Sequence, residues 1–352
     1  MFLKRGFKLK NKKQNGFESV MKQIFPKDLI TTQEWDKPAL DVVIQLAERF
    51  RTERLAGILH NNLLPARTLY SIFYNPSTRT RTSFMSAMTQ LGGETHTLNP
   101  SGLQESIGEV IKDTAGVLSR YGDAISVRYC FTKEAYGDGN KVLRTYAKES
   151  SVPVINMECD TYHPCQVLAD WQTIKQRFGE NLKGKKITIS WAYGKYIRPV
   201  AVPQSLVLMM SRLGMDVTLA HPEGFDLDQK IIRQAETNTT LADGSFEIVN
   251  DMDEGFKDAH VVYPKNWGPL AAMPDMAKAA EMQEPFKHWK ATVKRMKLTR
   301  PNGIYMHCLP VDRGLEVEDK VIDGPQSAVM DQAENRLHVQ KALLTLLINN
   351  RG

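Results

Sequence analysis

Apolar residues along the chain alternate between short extended runs and helical spacings. Leu69, Ile72 and Phe73 fall in a run from 67 to 74 that reads as a strand. Phe84, Ala87, Met88 and Leu91 follow at i, i+3, i+4 and i+7, one face of a helix, and Gly92-Gly93 end it. The same logic predicts strands over 123–129, 152–157, 185–191, 215–220, 246–250, 260–264, 303–308 and 327–331. Helices are expected from Thr31 through Ala47, over 104–121, 167–179 and 203–214, between the strands at 246–250 and 260–264, and over 334–348. Strand and helix alternate throughout, which predicts an α/β protein with two doubly wound parallel-sheet domains.

The chain has 352 residues, enough for two ordinary domains. Expected boundaries are 1–30, a basic tail; 31–165, a first domain; 166–325, a second; and 326–352, a terminal helix returning to the first. The net charge of +6 suggests nucleic acid at first sight. Lys4, Arg5, Lys8, Lys10, Lys12 and Lys13 account for it, and without those six, 40 bases face 40 acids. No nucleic-acid partner is therefore expected. The tail lacks the unbroken apolar core of a secretory signal and the Arg and Ser of a transit peptide, and Met21 is a second candidate start. No run of some 18 apolar residues suggests a membrane span. Four unpatterned cysteines fit a reducing, cytoplasmic setting.

Candidate chemistry gathers at strand ends, where open α/β sheets collect ligands. Asn75-Pro76-Ser77-Thr78-Arg79-Thr80-Arg81 joins the first strand to its helix, with Ser77 or Thr78 as N-cap. A helix N-terminus, hydroxyls and guanidiniums together suit a phosphate. Arg128 ends a second strand, and His163-Pro164-Cys165-Gln166 opens a helix. His307-Cys308-Leu309-Pro310 follows a late strand. Cys159, Cys165 and His163 lack zinc spacing, so no metal is expected. Ala192-Tyr193-Gly194-Lys195 is no dinucleotide turn, which argues against a dehydrogenase.

Pro76-Ser-Thr-Arg-Thr-Arg, His-Pro-Cys-Gln and His-Cys-Leu-Pro resemble the motifs of the aspartate and ornithine transcarbamylases. The resemblance covers about residues 31–350. It implies a carbamoyltransferase using carbamoyl phosphate and an amino-acid amine, forward or in phosphorolytic reverse, without a cofactor. It places phosphate on Ser77, Thr78, Arg79 and Thr80, and the carbonyl oxygen on Arg128, Thr80 and His163. The carbamoyl nitrogen would meet Gln166 and the carbonyls of Cys308 and Leu309, with Arg336 reaching in from the last helix. Cys308 is not expected to act as a nucleophile, because carbamoyl phosphate is already activated. A silent regulatory homologue would have lost some of these ligands, and all are present.

Trp191-Ala-Tyr-Gly-Lys-Tyr-Ile-Arg-Pro and Tyr263-Pro-Lys-Asn-Trp-Gly resemble the knotted transcarbamylases of N-acetylornithine and N-succinylornithine. The fold would then thread a loop bearing Pro199 and Pro203. Glu158, Lys265, Pro310 and Asp312 are the implied amine-side residues, and Gln104 would reach a neighbouring subunit of a homotrimer. Asp312 and Ala220-His-Pro-Glu-Gly-Phe resemble a third knotted branch, whose amine the resemblance does not name and for which ureido-amino acids are candidates; Asp312 is expected to receive an ammonium or ureido N–H, disfavouring acylated ornithine. The alternative is an N-acylornithine transcarbamylase of arginine biosynthesis.

Overall fold

The computed structural model describes residues 28–131, 135–273 and 275–349. Two parallel sheets form the frame. The first holds β1 (Thr68–Phe73), β2 (Glu94–Leu98), β3 (Ala124–Tyr129) and β4 (Val154–Cys159) in the order β2-β1-β3-β4. The second holds β5 (Lys186–Trp191), β6 (Asp216–Ala220), β7 (Ser245–Val249), β8 (Val261–Lys265) and β9 (Ile304–Tyr305) in the order β7-β6-β5-β8-β9. Every pairing is parallel. Parallel strands need crossovers, and helices covering both faces explain why β4 and β8 are buried at every position.

The first sheet is crossed by α1 (Lys37–Leu55), α2 (Thr78–Leu91), α3 (Ile111–Tyr121) and α4 (Asp138–Glu149), and α5 (Pro164–Phe178) leads into the second domain. There α6 (Ala201–Arg212), α7 (Gln229–Ala242), α8 (Met252–Phe256), α9 (Met276–Gln283), α10 (Val293–Met296) and α11 (Asp319–Ile322) follow. The chain closes with α12 (Val329–Ile348). In α2 the apolar spacing holds: Phe84, Ala87, Met88 and Leu91 are buried. Gly92 ends it at φ 92°, where a β-carbon would lie 1.8 Å from the Asn61 carbonyl oxygen. No other residue fits there.

Helix α12 is apolar nearly all round because it is enclosed, packing on α1, α2 and α5. Its Leu343, Leu344, Leu347 and Ile348 are at most 1% exposed. Burying each such side chain contributes about 1.5–3 kcal/mol, so this helix fastens the second domain's end to the first. No helix among the described residues is long and apolar enough to cross a membrane.

Several expectations change. The basic run 4–13 lies outside the described residues. Packed chain begins before residue 31: the Val154 N–H donates to Asp28 Oδ1 at 2.7 Å, and Leu29 pairs with Ile155. Thr32–Glu34 is a 3-10 turn, and α1 starts only at Lys37. Pro38 lacks an N–H and is tolerated only in a first turn, so the helix cannot run back to Thr31. The 104–121 segment is broken at Gly108, φ 107°, which ends the 3-10 turn Gln104–Ile107. Over 327–331 there is one bridge, Tyr305 to Ser327, before α12 begins. The 303–308 strand is only two residues long, and α6 begins at Ala201 with Pro203 in its first turn, where no N–H partner is lost.

Leu343→Ala should lower unfolding free energy by about 2–5 kcal/mol, read from chemical denaturation. A loss below about 1 kcal/mol would contradict the enclosed terminal helix.

Candidate active site

Strand β1 delivers Asn75-Pro76-Ser77 to the cleft between the sheets. Ser77 caps α2: its backbone is extended, φ −155°, and its hydroxyl accepts from the Thr80 N–H at 3.2 Å. Asn75 Oδ1 accepts from the N–H groups of Cys130 at 2.8 Å and Phe131 at 3.0 Å, tying this turn to the end of β3. The free N–H groups and dipole of α2 therefore open toward the cleft.

Arg128 sits where the β3–β4 register slips between Val127 and Arg128. Such a bulge re-aims a side chain. Arg128 pairs with Glu158, whose Oε2 also lies 3.6 Å from His163 Nε2. The His163 N–H donates to Ser205 Oγ at 2.8 Å, fixing the start of α5 against α6.

Arg336 arrives from α12 and joins both halves of the site. Its Nη1 donates to Gln166 Oε1 at 2.5 Å and its Nη2 to Thr80 Oγ1 at 2.9 Å. Gln166 Nε2 in turn donates to Asp170 Oδ1 at 2.8 Å, which also receives Gln332 Nε2 at 2.6 Å. Gln332 Oε1 accepts from the His307 N–H at 2.9 Å. One buried polar chain thus sets the Gln166 amide and the loop after β9 together. In that loop Leu309 has φ 54°, an uncommon conformation for a branched residue that the surrounding bonds must hold.

These groups share a cavity of about 80 Å³. Ser77, Arg79, Thr80, Arg128, Glu158, His163 and Gln166 line it from the first domain and α5. Arg198, Lys265, Cys308, Leu309 and Pro310 line it from the other side of the cleft, and Arg336 enters from α12. Three of the proposed residues stand elsewhere. Thr78 is exposed in the first turn of α2, and Gln104 is exposed on its loop. Asp312 does not line the cavity: its Oδ2 accepts from the N–H groups of Lys195 at 2.7 Å and Tyr196 at 3.4 Å, and Oδ1 lies 3.5 Å from Arg198 Nη2. The expectation of a carboxylate free to meet an ammonium is corrected, because that carboxylate is already engaged.

Arg198 joins the predicted residues in the lining. The signal for it was position, a guanidinium just beyond the carboxyl end of β5. A roomier hollow between α1 and α5, lined by Glu48, Arg49, Glu53, Lys175 and Glu180, mixes charges and gathers no such cluster.

Among the described residues, five cations line the cavity (Arg79, Arg128, Arg198, Lys265 and Arg336) against one carboxylate, Glu158. Arg128 Nε, Arg198 Nε, Arg336 Nε and His163 Nδ1 are buried with no hydrogen-bond partner among those residues. Buried polar groups are nearly always satisfied, so this set is arranged for an anionic, acceptor-rich ligand. Burial, then the cations of Arg336, Arg128, Lys265 and Arg79, hold the His163 pKa well below its ordinary value. The ring is neutral at pH 7. Burial also pushes the Cys308 thiol up to about 11, so it is no thiolate nucleophile. Burial lowers the Lys265 pKa, while its Nζ donates to the carbonyls of Pro199 at 3.0 Å and Asn266 at 2.8 Å. Among the described residues no three His, Cys, Asp or Glu side chains meet in a way that could hold a metal ion.

The comparisons with known proteins agree with this geometry. Residues 27–176 match the aspartate/ornithine carbamoyltransferase carbamoyl-P binding domain, and 183–347 match the Asp/Orn binding domain of the same family. The anabolic ornithine carbamoyltransferase of Pyrococcus furiosus is 41% identical over 92% of this chain and 96% of its own. The N-acetylornithine carbamoyltransferase of Xanthomonas axonopodis pv. citri is 36% identical over 93% and 98%. A solved variant of N-acetyl-L-ornithine transcarbamylase, complexed with carbamyl phosphate and N-succinyl-L-norvaline, superposes with a TM-score of 0.85 at 35% identity. It covers 91% of this chain and 99% of that one. The chain belongs to the aspartate/ornithine carbamoyltransferase family.

Proposed function

We propose that the protein transfers the carbamoyl group of carbamoyl phosphate to a primary amine of an amino-acid substrate, releasing phosphate, or runs the phosphorolytic reverse. The observation that carries this reading is the meeting of a capped helix N-terminus with Arg79, Arg128, His163 and Arg336 in one cavity of unpartnered donors. The phosphate rests on the first turn of α2, held by Ser77, Arg79 and Thr80, with the Thr78 side chain turned to the surface. The carbonyl oxygen points to Arg128, Thr80 and neutral His163. Gln166 Oε1 and the carbonyls of Cys308 and Leu309 receive the carbamoyl NH2.

The uncharged amine attacks the carbonyl carbon. A C–N bond forms, the C–O bond to phosphate breaks, and the phosphate leaves with the electron pair. The departing phosphate takes up the amine proton. Donors aimed at the developing oxyanion are each worth about 10²–10³-fold in rate. Glu158, Lys265 and Pro310 border the amine's approach. With Asp312 engaged, an N-acylornithine stands beside an ornithine-like amine as substrate.

The active form we infer is a cytoplasmic homotrimer with shared sites. All four cysteines are free thiols, as a reducing compartment favours. Gln104 is exposed, as are the apolar side chains of Ile107, Val110, Val117 and Tyr121 that follow it in the chain, while Glu105 is gripped by the hydroxyls of Tyr74 and Tyr146. That anchor would present Gln104 to the next subunit. The loop bearing Pro199 is held by later chain segments through Lys265, Gly268 and Asp312, in keeping with a threaded loop.

Arg79→Ala should weaken carbamoyl-phosphate binding by about 10²-fold in calorimetry, the scale of a charged hydrogen bond lost from a buried site, with the melting curve intact. Unchanged affinity would remove the phosphate assignment. Mixing inactive Gln104→Ala and Arg128→Ala chains should restore part of the activity through hybrid sites. No recovery from an assembly shown to exchange subunits would refute site sharing.

A further inference from the structure

Arg198 lies in the segment between β5 and α6, fastened at both backbone atoms. Its N–H donates to Asn266 Oδ1 at 3.2 Å, and its carbonyl accepts from the Gly268 N–H at 3.0 Å. The guanidinium stands 5.6 Å from the centre of the Tyr196 ring and 3.5 Å from Asp312 Oδ1. Asp312 fixes that same segment through the N–H groups of Lys195 and Tyr196. The guanidinium is thus pre-positioned against the cavity, and its buried Nε has no partner among the described residues. Preorganised donors of this kind bind anions with little ordering cost.

Charge decides what the second substrate must be. Carbamoyl phosphate brings at most two negative charges to a cavity whose described lining has five cations and one carboxylate. Positive charge remains, and Arg198 and Lys265 supply it from the second domain. A substrate ammonium at that end would find no free carboxylate among the described lining residues. Glu158 is paired with Arg128, and Asp312 is held by two backbone N–H groups and Arg198.

Resting on the carbamoyl-transfer reading, we propose that Arg198, positioned by Asp312, reads the carboxylate of an amine substrate whose α-nitrogen is capped. The cap is an amide or a urea, so the end remote from the attacking amine is net anionic.

The test uses the full chain saturated with carbamoyl phosphate and titrated calorimetrically with two unreactive probes, norvaline and N-acetylnorvaline. N-acetylnorvaline should bind at least about tenfold more tightly, a difference of about 1.4 kcal/mol. Arg198→Gln should lose about tenfold for the capped probe while keeping carbamoyl-phosphate affinity within about twofold. Arg198→Lys should restore part of the loss. Asp312→Asn, which retains the side-chain shape, should weaken the capped probe and leave carbamoyl phosphate alone, as a positioning residue would. Equal binding of the two probes, or an Arg198→Gln protein unchanged toward the capped one, overturns the proposal. If the wild-type chain binds no carbamoyl phosphate, the carbamoyl-transfer reading itself falls, a result separate from either of these.

Discussion

The five cations among the described lining residues repel each other, and unliganded folding has to offset that repulsion. At an effective dielectric constant of about 20, two like charges 4 Å apart cost about 4 kcal/mol. The structure answers at four of the five. Arg128 takes Glu158, Arg336 is held by Gln166 and Thr80, Lys265 by two backbone carbonyls, and Arg198 by Asp312. Each device leaves some donors unused. The site is therefore stable enough to form and still short of acceptors, which is the condition for binding a phosphate and a carboxylate.

That arrangement requires elements from distant parts of the chain to be held in register. The polar chain Arg336–Gln166–Asp170–Gln332 runs between α12 and α5 and ends on the His307 N–H. Burial pushes the Asp170 carboxyl up to about 7, against the lowering hydrogen bonds from Gln166 and Gln332. The enclosed α12 carries Arg336 into the cleft, so packing at Leu343 and electrostatics at Thr80 belong to one device. Neutral His163 adds a donor without another positive charge, which keeps the repulsion bounded.

Much of this was legible in the residues themselves. Buried parallel strands write near-continuous apolar runs, so β1, β3, β5, β6 and β8 stood out. Edge strand β2, Glu-Thr-His-Thr-Leu, carries no such run and is absent from the prediction, as are α4, α7, α9, α10 and α11. Breaks were harder to see than elements. Pro38 and Gly108 stop helices that periodicity alone would extend. Local motifs pointed to Arg79, His163 and Cys308 because their function depends on short-range spacing. The role of Asp312 is not legible locally, because its partners, Lys195 and Tyr196, lie more than a hundred residues earlier. Position beyond β5 is the sequence's only pointer to Arg198, because its neighbours Asn266, Gly268 and Asp312 are brought to it by tertiary folding.

The most direct test of carbamoyl transfer is carbon NMR of the full chain with carbonyl-labelled carbamoyl phosphate and a set of free and capped diamino acids. The account predicts that one amine converts the label to a ureido carbon, with phosphate released in equal amount. If label is lost only by spontaneous hydrolysis with every amine, and no ureido-amino acid plus phosphate yields carbamoyl phosphate in reverse, the account is contradicted.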